Sequence, residues 1–122
     1  MKVTIQLDYP PNATKRFGAN AYYAGKHWAV RKADADYWHT LLMLEAPWNR
    51  PPLDKPVRLV FYWDDRLDLS NHSIMAKFIE DGIKGRIIKD DSRRYVHEIV
   101  HKWHKGGNIK LVIEEIENHD ND

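Results

Sequence analysis

The chain has 122 residues, enough for one domain with a modest core and too few for two ordinary domains. Hydrophobic residues make up 43% of it and cysteine is absent, so we expect a folded globular protein without disulfides or thiolate metal sites. The net charge of +1 does not by itself indicate nucleic-acid binding. The sequence lacks a signal-peptide pattern and a membrane-spanning apolar run, so we expect a soluble, cytoplasmic protein without membrane contact.

The first half of the chain predicts a strand, a loop and a helix. Residues 3–8 alternate in hydropathy and indicate a strand, which the prolines at 10 and 11 terminate. Residues 12–27 are mostly polar, and we interpret them as a long functional loop. Residues 28–46 predict a helix that ends at a proline. The apolar residues at near-helical spacing in this helix are Val30, Tyr37, Leu41 and Leu44.

The second half predicts a strand, a helix and two further strands. Residues 57–63 are apolar on both faces and indicate a largely buried strand. Asn71 is the expected N-cap of a helix that stops near Gly85. Residues 95–104 and 108–116 indicate strands joined as a hairpin by a Lys-Gly-Gly turn. The order β-α-β-α-β-β predicts a single α+β domain with a mixed four-stranded sheet, two helices and a polar tail from about residue 117.

Carboxylates and one lysine recur around the second predicted helix. Asp68 precedes this helix, Lys77 and Asp81 lie in it, and Asp91 follows it with Asp90 as a spare. Magnesium is usually held by one or two carboxylates, water and substrate phosphate, so this pattern predicts a metal site in which the lysine faces a phosphoryl group. The alternative is a set of capping and turn residues with an ordinary solvated ion pair one helical turn apart.

The predicted first loop interleaves basic and aromatic side chains. Cations can hold backbone phosphates while aromatic faces stack on unpaired bases, so the loop is a candidate DNA-binding surface. The alternative is a polar loop whose tyrosines pack on the domain. The candidate DNA-binding residues are Lys15, Arg16, Asn20, Tyr22, Tyr23, Lys26 and, outside the loop, Asn71.

Histidines and tryptophans supply further candidates. His97, His101 and His104 lie on one predicted strand, where residues four apart stand about 13 Å apart, so we expect solvated side chains rather than a shared metal. His72 lies beside the acidic residues and is a candidate for phosphate contact. The five tryptophans are expected in the core or at an interface, and a protein-interaction domain built on them is a further interpretation.

The acidic motifs resemble those of a known family, the RusA Holliday-junction resolvases, which are small endonucleases of bacterial and prophage origin. The segment Asp68-Leu-Ser-Asn71 is similar to the family's Asp-x-Asp-Asn signature. Residues 76–83 and 87–91 resemble its lysine-bearing helix and the following acidic loop, and residues 7–12 resemble its first strand and proline-containing exit.

The resemblance implies an α+β homodimer that binds branched DNA at four-way junctions and cuts it symmetrically in recombination and repair. It implies Mg²⁺ as the cofactor, with Mn²⁺ as an alternative. By the same resemblance Asp68 and Asp91 would be metal ligands and Lys77 the catalytic lysine. Asp81 matches a further acidic position and is a candidate third ligand.

Ser70 stands where the family signature has its second aspartate. A neutral hydroxyl is a poorer ligand for a hard cation than a carboxylate. Three outcomes follow: the protein binds junctions without cutting them, another carboxylate replaces the missing one, or a water bridges Ser70 to the metal. The replacement carboxylates considered are Asp64, Asp65 and Asp81.

Overall fold

The computed structural model describes residues 1–23 and 28–117. In chain order its elements are β1 (Lys2–Leu7), α1 (Ala13–Phe17), α2 (Ala19–Tyr23), α3 (Trp28–Glu45), β2 (Val57–Trp63), a 3₁₀ helix (Leu69–His72), α4 (Ser73–Ile83), β3 (Val96–Trp103) and β4 (Ile109–Glu115). The expected α+β class, the mixed four-stranded sheet and the two long helices are confirmed. No helix in the described ranges is long and apolar enough to cross a membrane.

The strands form one sheet in the order β1-β4-β2-β3. β2 lies parallel to β3 and antiparallel to β4, and β1 lies antiparallel to β4. The register places Phe61 of β2 opposite His101 on one side and Leu111 on the other. As predicted, β2 is largely buried, because it is a central strand with apolar residues on both faces.

The core lies between one face of the sheet and the two long helices. Leu59, Phe61 and Trp63 alternate along β2 and point into it. α4 forms because Met75, Ile79 and Ile83 recur every four residues and bury one side of the helix. Gly85, with a φ of 75°, follows the end of this helix.

Two sequence predictions about local structure are wrong. Residues 13–17 and 19–23 form α1 and α2 rather than a loop, because Ala13 and Phe17 bury one side of α1, and Ala19 and Tyr22 bury one side of α2. The rest of the predicted loop, residues 24–27, lies outside the described residues. The strands β3 and β4 are not a hairpin, since β2 lies between them. The Lys-Gly-Gly turn instead crosses the end of β2, where the backbone N–H of Gly107 donates to Asp64.

The apolar spacing that predicted α3 marks its exposed face, not its buried one. The buried side chains of α3 are Asp34, Trp38 and Leu42, spaced four residues apart. Trp38 stacks on Phe78 of α4, with ring centres 6.2 Å apart. Leu44, by contrast, is 76% exposed. Because α3 carries two apolar stripes, periodicity identified the helix but could not identify the stripe that faces the core.

Candidate functional site

Three carboxylates converge on Lys77, and we call Lys77, Glu80, Asp81 and Asp91 the acidic cluster. The Lys77 ammonium lies 3.2 Å from Asp81, one helical turn further along α4. It lies 3.5 Å from Asp91, which the loop after α4 brings back to the helix. The third oxygen belongs to Glu80, at 3.6 Å. The structure therefore joins three of the sequence candidates, Lys77, Asp81 and Asp91, at one place.

Glu80 is the member of this cluster that the sequence interpretation missed. It is only 8% exposed, because it lies on the side of α4 that turns toward the sheet. Burial raises the pKa of its carboxyl, Lys77 lowers it in part, and the negative charges of Asp91 and Asp81 raise it again. The signal in the sequence was its spacing of three residues from Lys77, which places both on one helix face.

The acidic cluster keeps Lys77 charged. Burial acts to lower the pKa of the Lys77 ammonium, but the hydrogen bond to Asp81 and the charges of Asp81, Glu80 and Asp91 raise it above its ordinary value. Lys84 adds a second cation, 3.7 Å from the other Asp91 oxygen. Asp91 thus lies between two ammonium groups, which balance the negative charge of its carboxylate.

Asp90 belongs to the turn rather than to the acidic cluster. Its pKa is lowered chiefly by the backbone N–H of Asp91, with the Ser92 side chain also contributing. Asp90 therefore matches the turn alternative that the sequence left open, whereas Asp91 points to Lys77.

Open clefts border the acidic cluster. One, of about 170 Å³, is lined by Ser73, Ala76, Lys77, Glu80, Ile99 and His101, and we call it the β3 cleft. Another, of about 190 Å³, is lined by Tyr22, Arg31, Ile74, Lys77 and Phe78. Because Lys77 lines both, a phosphate group that enters either cleft meets this ammonium.

Asp68 and Ser70 lie at the amino-terminal end of the 3₁₀ helix and are exposed. Within the described residues, no hydrogen bond or ion pair links the Asp68 carboxylate to the acidic cluster. The contacts to Lys77 therefore join Asp81 and Asp91 but not Asp68. Ser70 is exposed beside Asp68.

A buried polar network fixes the segment that carries Asp68 and Ser70. His72 is fully buried and stacks on Trp63, with ring centres 4.4 Å apart. Its Nε2 lies 2.8 and 2.9 Å from the two Asp65 oxygens, and its Nδ1 lies 2.9 Å from the Leu69 carbonyl. Both ring nitrogens face acceptors, so the ring satisfies both contacts only when it carries both protons. The prediction that His72 contacts phosphate is wrong, because its ring is enclosed.

The same network uses the two neighbouring aspartates. Asp65 also accepts hydrogen bonds from the Tyr9 hydroxyl at 2.8 Å and from the backbone N–H of Leu67 at 2.9 Å. Burial raises the pKa of the Tyr9 phenol, and the Asp65 carboxylate raises it further, so the hydroxyl remains a donor. Asp64 accepts the N–H of Gly107. Asp65 is thus engaged within the buried network, whereas Asp64 is exposed.

Asn71 links the 3₁₀ helix to α2 instead of capping α4. Its side-chain oxygen accepts the backbone N–H of Asn20 at 3.0 Å, in the first turn of α2. The N-cap prediction for Asn71 is wrong, because the 3₁₀ helix intervenes and α4 begins only at Ser73. Its amide oxygen thus binds the start of α2, which belongs to the segment predicted from the sequence to bind DNA.

That segment is only partly available as a surface. The ring of Tyr22 is buried against Phe78, with centres 5.8 Å apart, so the prediction that it stacks on a base is wrong. Arg16 lies 3.6 Å from the buried carboxylate of Asp34 and packs over the Phe17 ring. Lys15 and Asn20 are exposed. Lys26 and the side chain of Tyr23 lie outside the described residues.

The strand histidines and the tryptophans divide between core and surface. His97 is exposed as expected, but His101 is half-buried and accepts the indole N–H of Trp63 at 2.9 Å. Burial and the nearby His72 lower the pKa of His101. Trp38 and Trp63 are core residues, whereas Trp28 and Trp103 are exposed.

Side-chain oxygens of Ser73 and Glu80 line the β3 cleft, and the carboxylates of Asp81 and Asp91 contact Lys77 at its border. Carboxylate oxygens are the ligands that Mg²⁺ prefers. In residues 1–23 and 28–117, however, no three His, Asp or Glu side chains are arranged to hold a metal ion. Asp81 and Asp91 fit a hard cation by their chemistry, and both already balance the positive charge of Lys77. A metal at this place would take carboxylate oxygens from the ammonium, which would be freed to face a phosphate.

Together these features define a small α+β protein with a lysine-centred acidic cluster beside an open cleft. Comparison with models of known protein families finds no match to the chain. A search of curated proteins finds no significant match. The functional argument therefore rests on the geometry and on the sequence motifs.

Proposed function

We propose that the protein is a magnesium-dependent, structure-selective DNA endonuclease that resolves four-way junctions in recombination and repair, as a cytoplasmic homodimer. The observation that carries this proposal is the convergence of Asp81 and Asp91 on Lys77 at the border of an open cleft. The resemblance of the Asp68, Lys77 and Asp91 motifs to those of the RusA resolvases supports it.

In this proposal Asp91 and Asp68 hold the metal, and Asp81 or a water beside Ser70 completes the set of ligands. When bound, the metal polarises the scissile phosphate and supplies an activated water. Lys77 places its ammonium against the phosphoryl oxygens and balances the charge that develops there. Glu80, whose pKa is raised by burial, holds a proton more readily than an exposed carboxyl beside the same cleft.

Basic residues near the cluster would hold the DNA backbone. Lys84, Lys89, Arg93 and Arg94 are exposed around the loop that carries Asp91. Arg86 is different, because its guanidinium donates to the Ala46 carbonyl at 2.9 Å and closes the end of α3. Neutralising several phosphates in this way makes binding sensitive to salt.

The experiment that tests this function is cleavage of a labelled four-way junction with and without Mg²⁺, beside a linear duplex of equal length. We expect symmetric nicking of the junction that depends on Mg²⁺ and leaves the duplex intact. An equal rate on both substrates would contradict structure selection. Cutting that continues in a chelator would contradict the role of the metal.

A second candidate function is a branched-DNA-binding protein with impaired cleavage. The observation in its favour is that Ser70 is an exposed neutral residue where a carboxylate ligand is expected, and that Asp64 and Asp65 are engaged elsewhere. Such a protein would grip junctions through its basic residues without the full charge of a metal site.

Ser70→Asp distinguishes the two candidates. In a binding protein it is expected to create Mg²⁺-dependent cleavage by restoring a carboxylate, and in an active nuclease it raises cleavage by no more than about tenfold. The matched control is Thr40→Asp, which adds the same charge at an exposed position of α3 that lines neither cleft beside Lys77. Cleavage rates of parent and variants on one junction give the answer, and a parent that cuts rapidly excludes the binding protein.

A further inference from the structure

The strand β3 is an edge strand with an unusual exposed surface. It pairs with β2 on one side, and among the described residues no strand pairs with its other side. It is eight residues long and contains neither proline nor glycine. Ile99 and Trp103 on this strand are 45% and 48% exposed. A long, regular edge with exposed apolar side chains is a template for pairing with another strand.

The residue pattern of β3 is complementary to itself when the strand is reversed about Val100. A two-fold axis at this residue places Glu98 of one copy opposite Lys102 of the other, and the reverse pair forms on the other side of the axis. Opposite charges then face each other twice, and valine faces valine between them. On the opposite face, Ile99 meets His101 of the partner copy.

We propose that two copies of this chain pair antiparallel through β3, about a two-fold axis at Val100, and form one continuous eight-stranded sheet. This inference deepens the proposed function, which requires a homodimer, by assigning the partner and its surface. The charge pattern favours a second copy over an extended peptide of another protein, because the strand supplies complementary charges at the required spacing. Within its own copy Glu98 lies 2.9 Å from Arg58, so in the dimer its carboxylate would be shared between Arg58 and the partner copy's Lys102.

This pairing makes the partner copy part of each site. Ile99 and His101 line the β3 cleft next to Lys77 and Glu80. When the edges pair, the partner copy's His101 lies beside Ile99 at the border of this cleft. The two acidic clusters then lie on either side of the axis, as symmetric cutting of two strands requires.

Cross-linking tests the axis directly, because the chain has no cysteine of its own. Directly opposite residues in an antiparallel pair have Cα atoms about 4.5–5.5 Å apart, which lies in the range a disulfide can bridge. Val100→Cys is therefore expected to form a covalent dimer on mild oxidation. The control Lys105→Cys places a thiol at an exposed position outside the strand. A monomeric Val100→Cys protein, or equal cross-linking of both variants, would overturn the proposal.

Charge reversal tests the register. Lys102→Glu creates two pairs of like charges across the axis, each between Glu98 of one copy and the new glutamate of the other. It is expected to weaken dimerisation at least about tenfold, as measured by sedimentation. The double variant Glu98→Lys with Lys102→Glu restores opposite pairs across the axis but loses the Arg58–Glu98 ion pair within each copy, so it is expected to recover only part of the lost dimerisation. Lys105→Glu is the control for the charge change alone. Because no DNA is used, a failed cleavage assay leaves this test intact, and a Lys102→Glu protein that dimerises as tightly as the Lys105→Glu control overturns the register.

Discussion

Asp91→Asn is expected to reduce Mg²⁺-dependent junction cleavage by about 100-fold or more and to leave junction binding within a few-fold of the parent. The substitution keeps the shape of the side chain but removes the negative charge that lies between Lys77 and Lys84. A metal's charge stabilisation is worth several kcal/mol, and each loss of about 1.4 kcal/mol is a tenfold loss of rate. Cleavage rates at saturating protein, together with gel-shift affinity, separate the two effects.

The neighbouring aspartate provides the matched control. Asp90→Asn makes the same change one residue earlier, where the carboxylate serves the turn and does not approach Lys77. We expect it to retain cleavage to within about fivefold, the loss of a turn hydrogen bond being worth about 1 kcal/mol. If Asp91→Asn cuts as fast as Asp90→Asn, then Asp91 has no role in the chemistry.

The sequence predicted correctly those elements whose hydropathy pattern is compatible with only one kind of secondary structure. The strand β2 was predicted because a short run that is apolar on both faces indicates a buried strand. The helix α4 was predicted because its apolar residues recur at helical spacing on one face. The helix α3 was found, but its buried stripe was not, since Tyr37 and Trp38 are neighbours on adjacent faces and only packing decides between them. Local patterns specify elements better than they specify which face is buried.

Errors in topology came from contacts between distant residues. The Lys-Gly-Gly turn has the composition of a hairpin, yet β2 inserts between the strands that it joins. α1 and α2 are too short to be stable alone, and Asn71, about fifty residues away in sequence, satisfies a free N–H of α2. Such support appears only when the chain is folded.

The candidate site was predictable in the same uneven way. Lys77 and Asp81 meet because four residues make about one helical turn, which the sequence shows. The approach of Asp91 depends on the path of the loop after α4, which helical spacing does not determine; the pattern of carboxylates and the motif resemblance both indicated it. Glu80 and the network of His72 with Asp65 were missed, because burial of a charged side chain cannot be read from its neighbours in sequence.

Asp65→Ala is expected to lower the free energy of unfolding by about 3 kcal/mol or more. It leaves three buried or half-buried donors without their acceptor: the Tyr9 hydroxyl, the His72 ring and the Leu67 backbone N–H. Each donor left without an acceptor in the interior costs about 1–3 kcal/mol, because its interaction with water is not regained on folding. Urea unfolding followed by tryptophan fluorescence reports this change, since Trp63 stacks on His72.

Asp64→Ala is the control, because Asp64 is exposed and its carboxylate accepts a backbone hydrogen bond from Gly107. We expect it to cost about 1 kcal/mol or less. Equal losses in the two variants would show that the network around His72 adds no stability. The comparison also bears on the site, because the Asp65 network fixes the start of the 3₁₀ helix on which Asp68 and Ser70 depend for their positions. If the network holds that segment, Asp65→Ala weakens metal-dependent cleavage even where the protein remains folded.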